Sequence, residues 1–95
     1  PGNHILPKKG VYCVNVKFRG NLYNGVANFG ERPTVNGVNL LLETHIFEFN
    51  KNIYGKELTV EFLTFIRPEK KFKDFKSLTN QIKKDVIKAK KYHKI

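Results

Sequence analysis

The 95-residue chain has one cysteine, one serine, no methionine and no tryptophan. A lone Cys13 excludes an internal disulfide and leans towards a reducing compartment. The only serine, Ser77, reads as a helix cap, so no serine nucleophile signature is present. His4, His45 and His93 stand far apart, without CxxC or HxxxH spacing, and no metal ligand is assigned. A phosphate-cradling G-x-x-x-x-G-K-[ST] loop is absent. No stretch approaches the roughly 20 apolar residues of a membrane-spanning helix, and PGNHILPKKG at the start holds no signal-like apolar run. The expectation is a single soluble, cytoplasmic domain without a membrane partner, starting at Pro1 as a piece of a longer protein.

Negative charge is also scarce. Eighteen Lys and Arg face eight Asp and Glu, a net charge of +10. Residues 67 to 95 carry eleven of those cations against Glu69, Asp74 and Asp85, a balance of +8. Such a segment can meet nucleic acid, a membrane surface or an anionic small molecule. The plainer reading is the solvated face of a lysine-rich helix.

What the chain does have is alternation. VYCVNVKF (11 to 18) places Tyr12, Val14, Val16 and Phe18 on one side and Cys13, Asn15 and Lys17 on the other, a strand period. Arg19-Gly20-Asn21 reads as a hairpin loop and LYNGVANFG (22 to 30) as the returning strand. GERPT (30 to 34) reads as punctuation around Pro33. After the turn dipeptide Asn36-Gly37, residues 38 to 49 form a third strand. A loop with Asn50, Asn52 and Gly55 leads to LTVEFLTFI (58 to 66), where Leu58, Val60, Phe62 and Ile66 face one way and Thr59, Glu61, Leu63 and Phe65 the other. From Ser77 the period becomes helical. Leu78, Ile82, Val86 and Ala89, with Tyr92 a turn later, mark the docking face, and Asp74 or Ser77 the cap. Four or five short antiparallel strands and one C-terminal helix make a small mainly-β domain, whose edges are best hidden by closure into a barrel.

Within LLETHIFEF (41 to 49), Glu43 and His45 share a strand face with Leu41, Phe47 and Phe49. A carboxylate set into an apolar wall gains basicity by desolvation, which suits a general base. The alternatives are a surface glutamate or a hydrogen-bonded one, and for His45 a hydrogen-bonded structural histidine.

Several runs, in order, resemble the riboflavin kinase family: GVANFGERPT (25 to 34), ETHIFEF (43 to 49), IYGKELTVEFLTFIRPEKKF (53 to 72) and QIKKD (81 to 85). The resemblance runs from about Leu6 to Tyr92. It implies a small, closed or partly open antiparallel Greek-key β-barrel with a C-terminal α-helix. It further implies that the domain phosphorylates riboflavin to FMN with ATP and Mg²⁺, as part of a bifunctional enzyme with an upstream FMN adenylyltransferase domain. Glu43 matches the family's catalytic glutamate, which takes the proton of the terminal ribityl hydroxyl. Arg67 and Phe72 match the segment that closes over the flavin, where Arg67 can face a phosphate and Phe72 the isoalloxazine. The plain readings are a surface pair between Arg67 and Glu69 and core packing for Phe72. Tyr54 matches a position near the nucleotide, or anchors its loop. Asn28 sits beside the family's ANxG turn, which the resemblance assigns to the nucleotide side, or serves structure alone.

The resemblance also implies a glycine-rich flap and a Pro-Thr-Ala-Asn motif that grip metal and nucleotide, and PGNHILPKKG matches neither. The expectation is a kinase-like domain over residues 1 to 95 without that segment. The alternative is a nucleic-acid-binding barrel with a basic C-terminal helix. It needs exposed aromatics among lysines on the strands, whereas here the strand aromatics alternate inward, so nucleic acid is not the expected partner.

Overall fold

The structure, a computed structural model, describes residues 6–51 and 55–95. Its elements are β1 (Gly10–Phe18), β2 (Asn21–Thr34), β3 (Gly37–Ile46), β4 (Thr59–Pro68) and α1 (Phe75–His93). The four strands form one antiparallel sheet in the order β3-β2-β1-β4. Three hairpin-linked strands with a fourth returning beside the first make a Greek key. Among the described residues β3 and β4 remain edges, so the barrel is partly open.

Strict alternation in β1 buries both of its faces. Val11 and Cys13 join Val26, Phe47 and Ala89 beneath the helix, with Ile66 and Val86 packed against them. Tyr12, Val14, Val16 and Ala27 form the opposite cluster, into which Phe62, Phe65, Ile46 and Tyr23 pack. Tyr12 lies 4.6 Å from Phe62 and 5.2 Å from Phe65 between ring centroids. The β1–β2 hairpin closes through Arg19 and Gly20, with φ of 50° and 81°. Positive φ at both central residues matches the right-handed twist of the strands, and glycine adopts it without strain.

Four expectations need correction. First, residues 30 to 34 do not break the strand. β1 begins at Gly10, opposite Phe29, so Pro33 lies where β2 pairs with β3 alone and no N–H is needed on its free side. Second, the third strand ends at Ile46. The Phe47 N–H donates to Asn24 O at 2.8 Å, and Glu48 turns the chain at φ 52°. Phe47 thus drops beneath the helix, while Phe49 packs edge-on to Tyr23 at 4.8 Å and Phe18 at 6.0 Å.

Third, β4 does not alternate simply. Irregularities opposite Val11/Tyr12 and Cys13/Val14 each insert one residue, Ile66 and Leu63. These bulges put Phe65 on the Tyr12 face and Ile66 on the helix face. Fourth, α1 is rotated from the expected phase. Its buried residues are Asp85 and Ala89, while Ile82 is 47% and Tyr92 53% exposed. Ala89 has no bulk to hold the helix off the sheet, and its carbonyl lies 3.7 Å from Cys13 Sγ. His93 Nε2 lies 3.1 Å from the same sulfur, so the last turns are drawn onto β1. Asp74, one of the two expected caps, accepts the Ser77 N–H at 2.8 Å, and the helix starts at Phe75. That backbone hydrogen bond, with one from the Ser77 side chain, holds the Asp74 carboxyl below its ordinary range.

Replacing Ala89 with Leu should overpack this contact and cost about 1–3 kcal/mol, whereas Lys83→Ala should change stability by under about 0.5 kcal/mol, both read from urea unfolding. Burial pushes the Cys13 thiol from 9.0 up to about 11. Between those values the folded state keeps a proton that the unfolded chain loses, so stability falls as pH rises from 9.0 to about 11. A Cys13→Val variant should show a shallower alkaline decline across that range.

Candidate active site

The helix covers only part of its sheet face. Where it draws back, an open cleft of about 570 Å³ lies between the strands and the first half of α1. Asn28 on β2 and Glu43 on β3 are cross-strand partners, and Val26 pairs likewise with His45. On the other side, Arg67 of β4 pairs with Val11 of β1. Side chains two apart on a strand, and partners across it, share a face, so the register alone brings Glu43, Asn28 and Arg67 to one surface. Phe72, in the connection from β4 to α1, closes the near end of the cleft. Four of the five expected site residues therefore line one cavity. Tyr54 lies outside the described residues.

Glu43 is not set in an apolar wall but is a surface, hydrogen-bonded glutamate. Its side chain is 55% exposed, and its Oε1 accepts a hydrogen bond from Arg32 Nη2. Arg32 also reaches Glu69, with Nη1 3.5 Å from Oε1. Glu69 in turn rests on bare backbone, since a Cβ added at Gly30 would lie 1.8 Å from Glu69 Oε1. Only glycine leaves room for this approach. Asn28 Oδ1 is buried and accepts no hydrogen bond among the described residues, an acceptor free for a ligand donor. His45 is exposed, makes no side-chain hydrogen bond among the described residues, and lies 5.5 Å from the Phe47 ring. The expected hydrogen-bonded histidine is thus a ring lying beside an aromatic.

Arg67 has a different partner from the expected Glu69. Its Nε donates to Asp85 Oδ1 at 2.9 Å and its Nη2 to Oδ2 at 2.7 Å, while Nη1 donates to Pro68 O at 3.0 Å. Gln81 Nε2 adds a bond to Asp85 Oδ1 at 3.0 Å. The Arg67 and Asp85 side chains are 15% and 6% exposed, so the fork ties β4 to α1 in a largely dry setting. The Arg67 guanidinium lies 5.8 Å from the Phe72 ring centroid, and Lys70 Nζ 5.6 Å from it. The nitrogens of the guanidinium are thereby engaged, and its carbon lies within cation–π range of an aromatic ring.

Arg32, Asp85 and Gln81 were not singled out from sequence. Arg32 was hidden in a stretch read as a turn. Asp85 had a visible signal: an acid on the inward stripe of a lysine-rich helix, seven residues after Leu78 and four before Ala89.

A partly open Greek-key sheet with one capping helix, and a cleft bearing a carboxylate, cations and a half-buried phenylalanine, defines a small antiparallel β-domain with an open cleft under its helix. The family model for riboflavin kinase (flavokinase) matches residues 1–93. The bifunctional riboflavin kinase/FMN adenylyltransferase of Haemophilus influenzae is 53% identical over 89 residues, which cover 93% of this chain and 29% of that protein. Its counterpart in Bacillus subtilis is 39% identical, covering 95% and 29%. A crystal structure described as a macrolide-efflux protein from Streptococcus pneumoniae matches with a TM-score of 0.76 at 36% identity, covering 85% of this chain and 27% of that one. The chain belongs to the riboflavin kinase family. It spans under a third of the length of these relatives.

The fork between β4 and α1 makes a measurable demand. Asp85→Ala leaves a mostly buried guanidinium unpaired and should destabilise the fold by about 3–5 kcal/mol in urea unfolding. The Arg67→Ala/Asp85→Ala double variant should cost less than the sum of the two singles.

Proposed function

We propose that residues 1 to 95 form the flavin side of a kinase domain that phosphorylates riboflavin to FMN with ATP. The observation that carries this reading is the convergence of Glu43, Asn28, Arg67 and Phe72, from β2, β3, β4 and the connection to α1, on one cleft. Phe72 and the apolar floor at Val11 and Val26 suit a flat aromatic ring, with Arg67 held by Asp85 behind Phe72. Glu43 takes the proton from the terminal ribityl hydroxyl. The hydroxyl oxygen forms a bond to the γ-phosphorus while the bond to the departing ADP oxygen breaks, and the proton passes later to solvent. Such a transfer depends on alignment and charge neutralisation more than on covalent catalysis by the protein.

Mg²⁺ is part of the family expectation. Among the described residues no group of three or more His, Cys, Asp or Glu side chains is gathered, and the cleft carboxylates Glu43 and Glu69 are both engaged by Arg32. These residues do not fit a protein-held divalent ion, and no step here runs through one. Tyr54 is assigned with Asn28 to the nucleotide side by resemblance alone. The family's Pro-Thr-Ala-Asn grip has no counterpart in the sequence, so we infer that residues 1 to 95 supply only part of the nucleotide alignment. The relatives' names support work as one part of a bifunctional enzyme with FMN adenylyltransferase, and we place it in the cytoplasm. No helix among the described residues is long and apolar enough to cross a membrane. The nucleic-acid-binding barrel draws no support from the strands, since Tyr12 and Phe18 are buried and Phe62 and Phe65 pack on Tyr12.

In a chain extended to carry the Pro-Thr-Ala-Asn segment, Glu43→Gln should lower the rate of FMN formation by about 10²–10⁴ while riboflavin affinity is retained. Near-normal turnover in that variant would move the proton transfer to another group. The 95-residue chain itself should form no FMN from riboflavin and Mg-ATP, and rates equal to the extended chain would place the nucleotide grip within it.

A further inference from the structure

Phosphoryl transfer at Glu43 requires positive charge beside the attacked phosphorus, and the sequence suggested Arg67 for that part. The structure spends Arg67 elsewhere, on both oxygens of Asp85 and on a backbone carbonyl. The cation that touches Glu43 is Arg32. We propose that Arg32 is the residue that binds the transferred phosphoryl group, and that its ion pair with Glu43 is a resting contact which the polyphosphate displaces. This rests on the reading of Glu43 as the base for a flavin hydroxyl.

Position is the first argument. A second cleft, of about 480 Å³, adjoins the flavin cleft and shares Arg32, Glu69 and Lys70 with it. Lys71 adds a further cation to its lining. Arg32 therefore stands at the junction: one cleft holds Glu43, and the other sets Arg32, Lys70 and Lys71 against Glu31 and Glu69, an excess of positive charge that admits a polyphosphate. A planar guanidinium binds phosphate oxygens in pairs, and this suits a trigonal phosphoryl group better than a point charge does. Arg32 is 38% exposed on its side chain, so it can turn from one partner to another without unmaking the core.

Competition is the second argument. Arg32 is shared between Glu43 and Glu69, its contact to Glu69 being the longer at 3.5 Å, and its Nη1 also donates to the neighbouring Glu31 O at 2.9 Å. An exposed pair of this kind is weakly held and readily exchanged. When a phosphate draws Arg32 away, the Glu43 carboxylate loses its cation and becomes free to accept the hydroxyl proton. Glu69, propped over Gly30, holds the guanidinium at 3.5 Å in the resting position. Nucleotide arrival would thus unlock the base, which keeps the two events in order.

Competition has a sign that a merely structural ion pair lacks. The probe is inorganic tripolyphosphate, with binding to the 95-residue chain read by calorimetry, and riboflavin binding followed separately by its fluorescence. Arg32→Gln should weaken tripolyphosphate about tenfold, the worth of a charge-assisted hydrogen bond at an exposed site. Arg32→Lys should recover part of that loss. Glu43→Gln should tighten tripolyphosphate by about two- to fivefold, since the anion no longer competes with a carboxylate for Arg32. In the Arg32→Gln background the Glu43→Gln change should lose that effect, which separates competition from the removal of one negative charge. Glu31→Gln makes the same change of charge on a residue of the second cleft that is paired with Lys9 rather than Arg32, and its effect should persist in the Arg32→Gln background. No tripolyphosphate binding, or affinity indifferent to Arg32, or an equal Glu43→Gln effect with and without Arg32, would overturn the proposal. Riboflavin binding that persists in those cases would leave the flavin reading standing, and its loss in the unaltered chain would remove that reading instead.

Discussion

The fold hangs on β1 being buried on both faces. Cys13, Val14 and Val16 are fully enclosed, and β2 and β4 take up the hydrogen bonds on its two sides. A strand so placed cannot move without breaking two clusters and two ladders together. Its odd-numbered side chains carry the helix and the floor of the cleft, and its even-numbered ones carry the aromatic cluster on the reverse. The positions of Arg67, Asn28 and Glu43 follow from registration against it, directly for Arg67 and Asn28 and through β2 for Glu43.

The site then arises from incomplete coverage. Ala89 and His93 bring the C-terminal half of α1 hard onto β1, while Leu78 and Ile82 at the other half border open space. The buried fork of Arg67 and Asp85 holds the helix at the point where close packing gives way to the cleft. A buried ion pair contributes little net stability compared with apolar side chains of similar size, but it penalises any arrangement that leaves one partner alone. Here it fixes where the helix crosses β4, and with it the position of Phe72.

Much of this was legible in the sequence. Alternation located β1, β2 and β4, and helical periodicity located α1, because each buries a regular stripe. Glu43, Asn28, Arg67 and Phe72 were named from family resemblance, and they meet in one cleft. What escaped notice shares a cause: it depends on contacts between elements. The pairing of Arg67 with Asp85 joins residues eighteen apart on different elements. Arg32 looked like part of a turn because Pro33 follows it, and only the short extent of β1 makes proline acceptable there. The phase of α1 was misjudged because Ile82 is more hydrophobic than Asp85, yet the closest approach is set by the smallest residue, Ala89.

The two bulges of β4 act as a frame adjustment. One extra residue alone would exchange the faces of everything downstream, because side-chain direction alternates with a period of two. Two extra residues restore the faces and advance the strand by a pair of positions. Without them Val11 would stand opposite Phe65; with them it stands opposite Arg67. The chemistry at that end of the cleft is thus set by a count of residues along one strand as much as by their identities. Straightening both bulges at unchanged length would put Phe65 in place of Arg67 opposite Val11, although no residue named in the site had been altered.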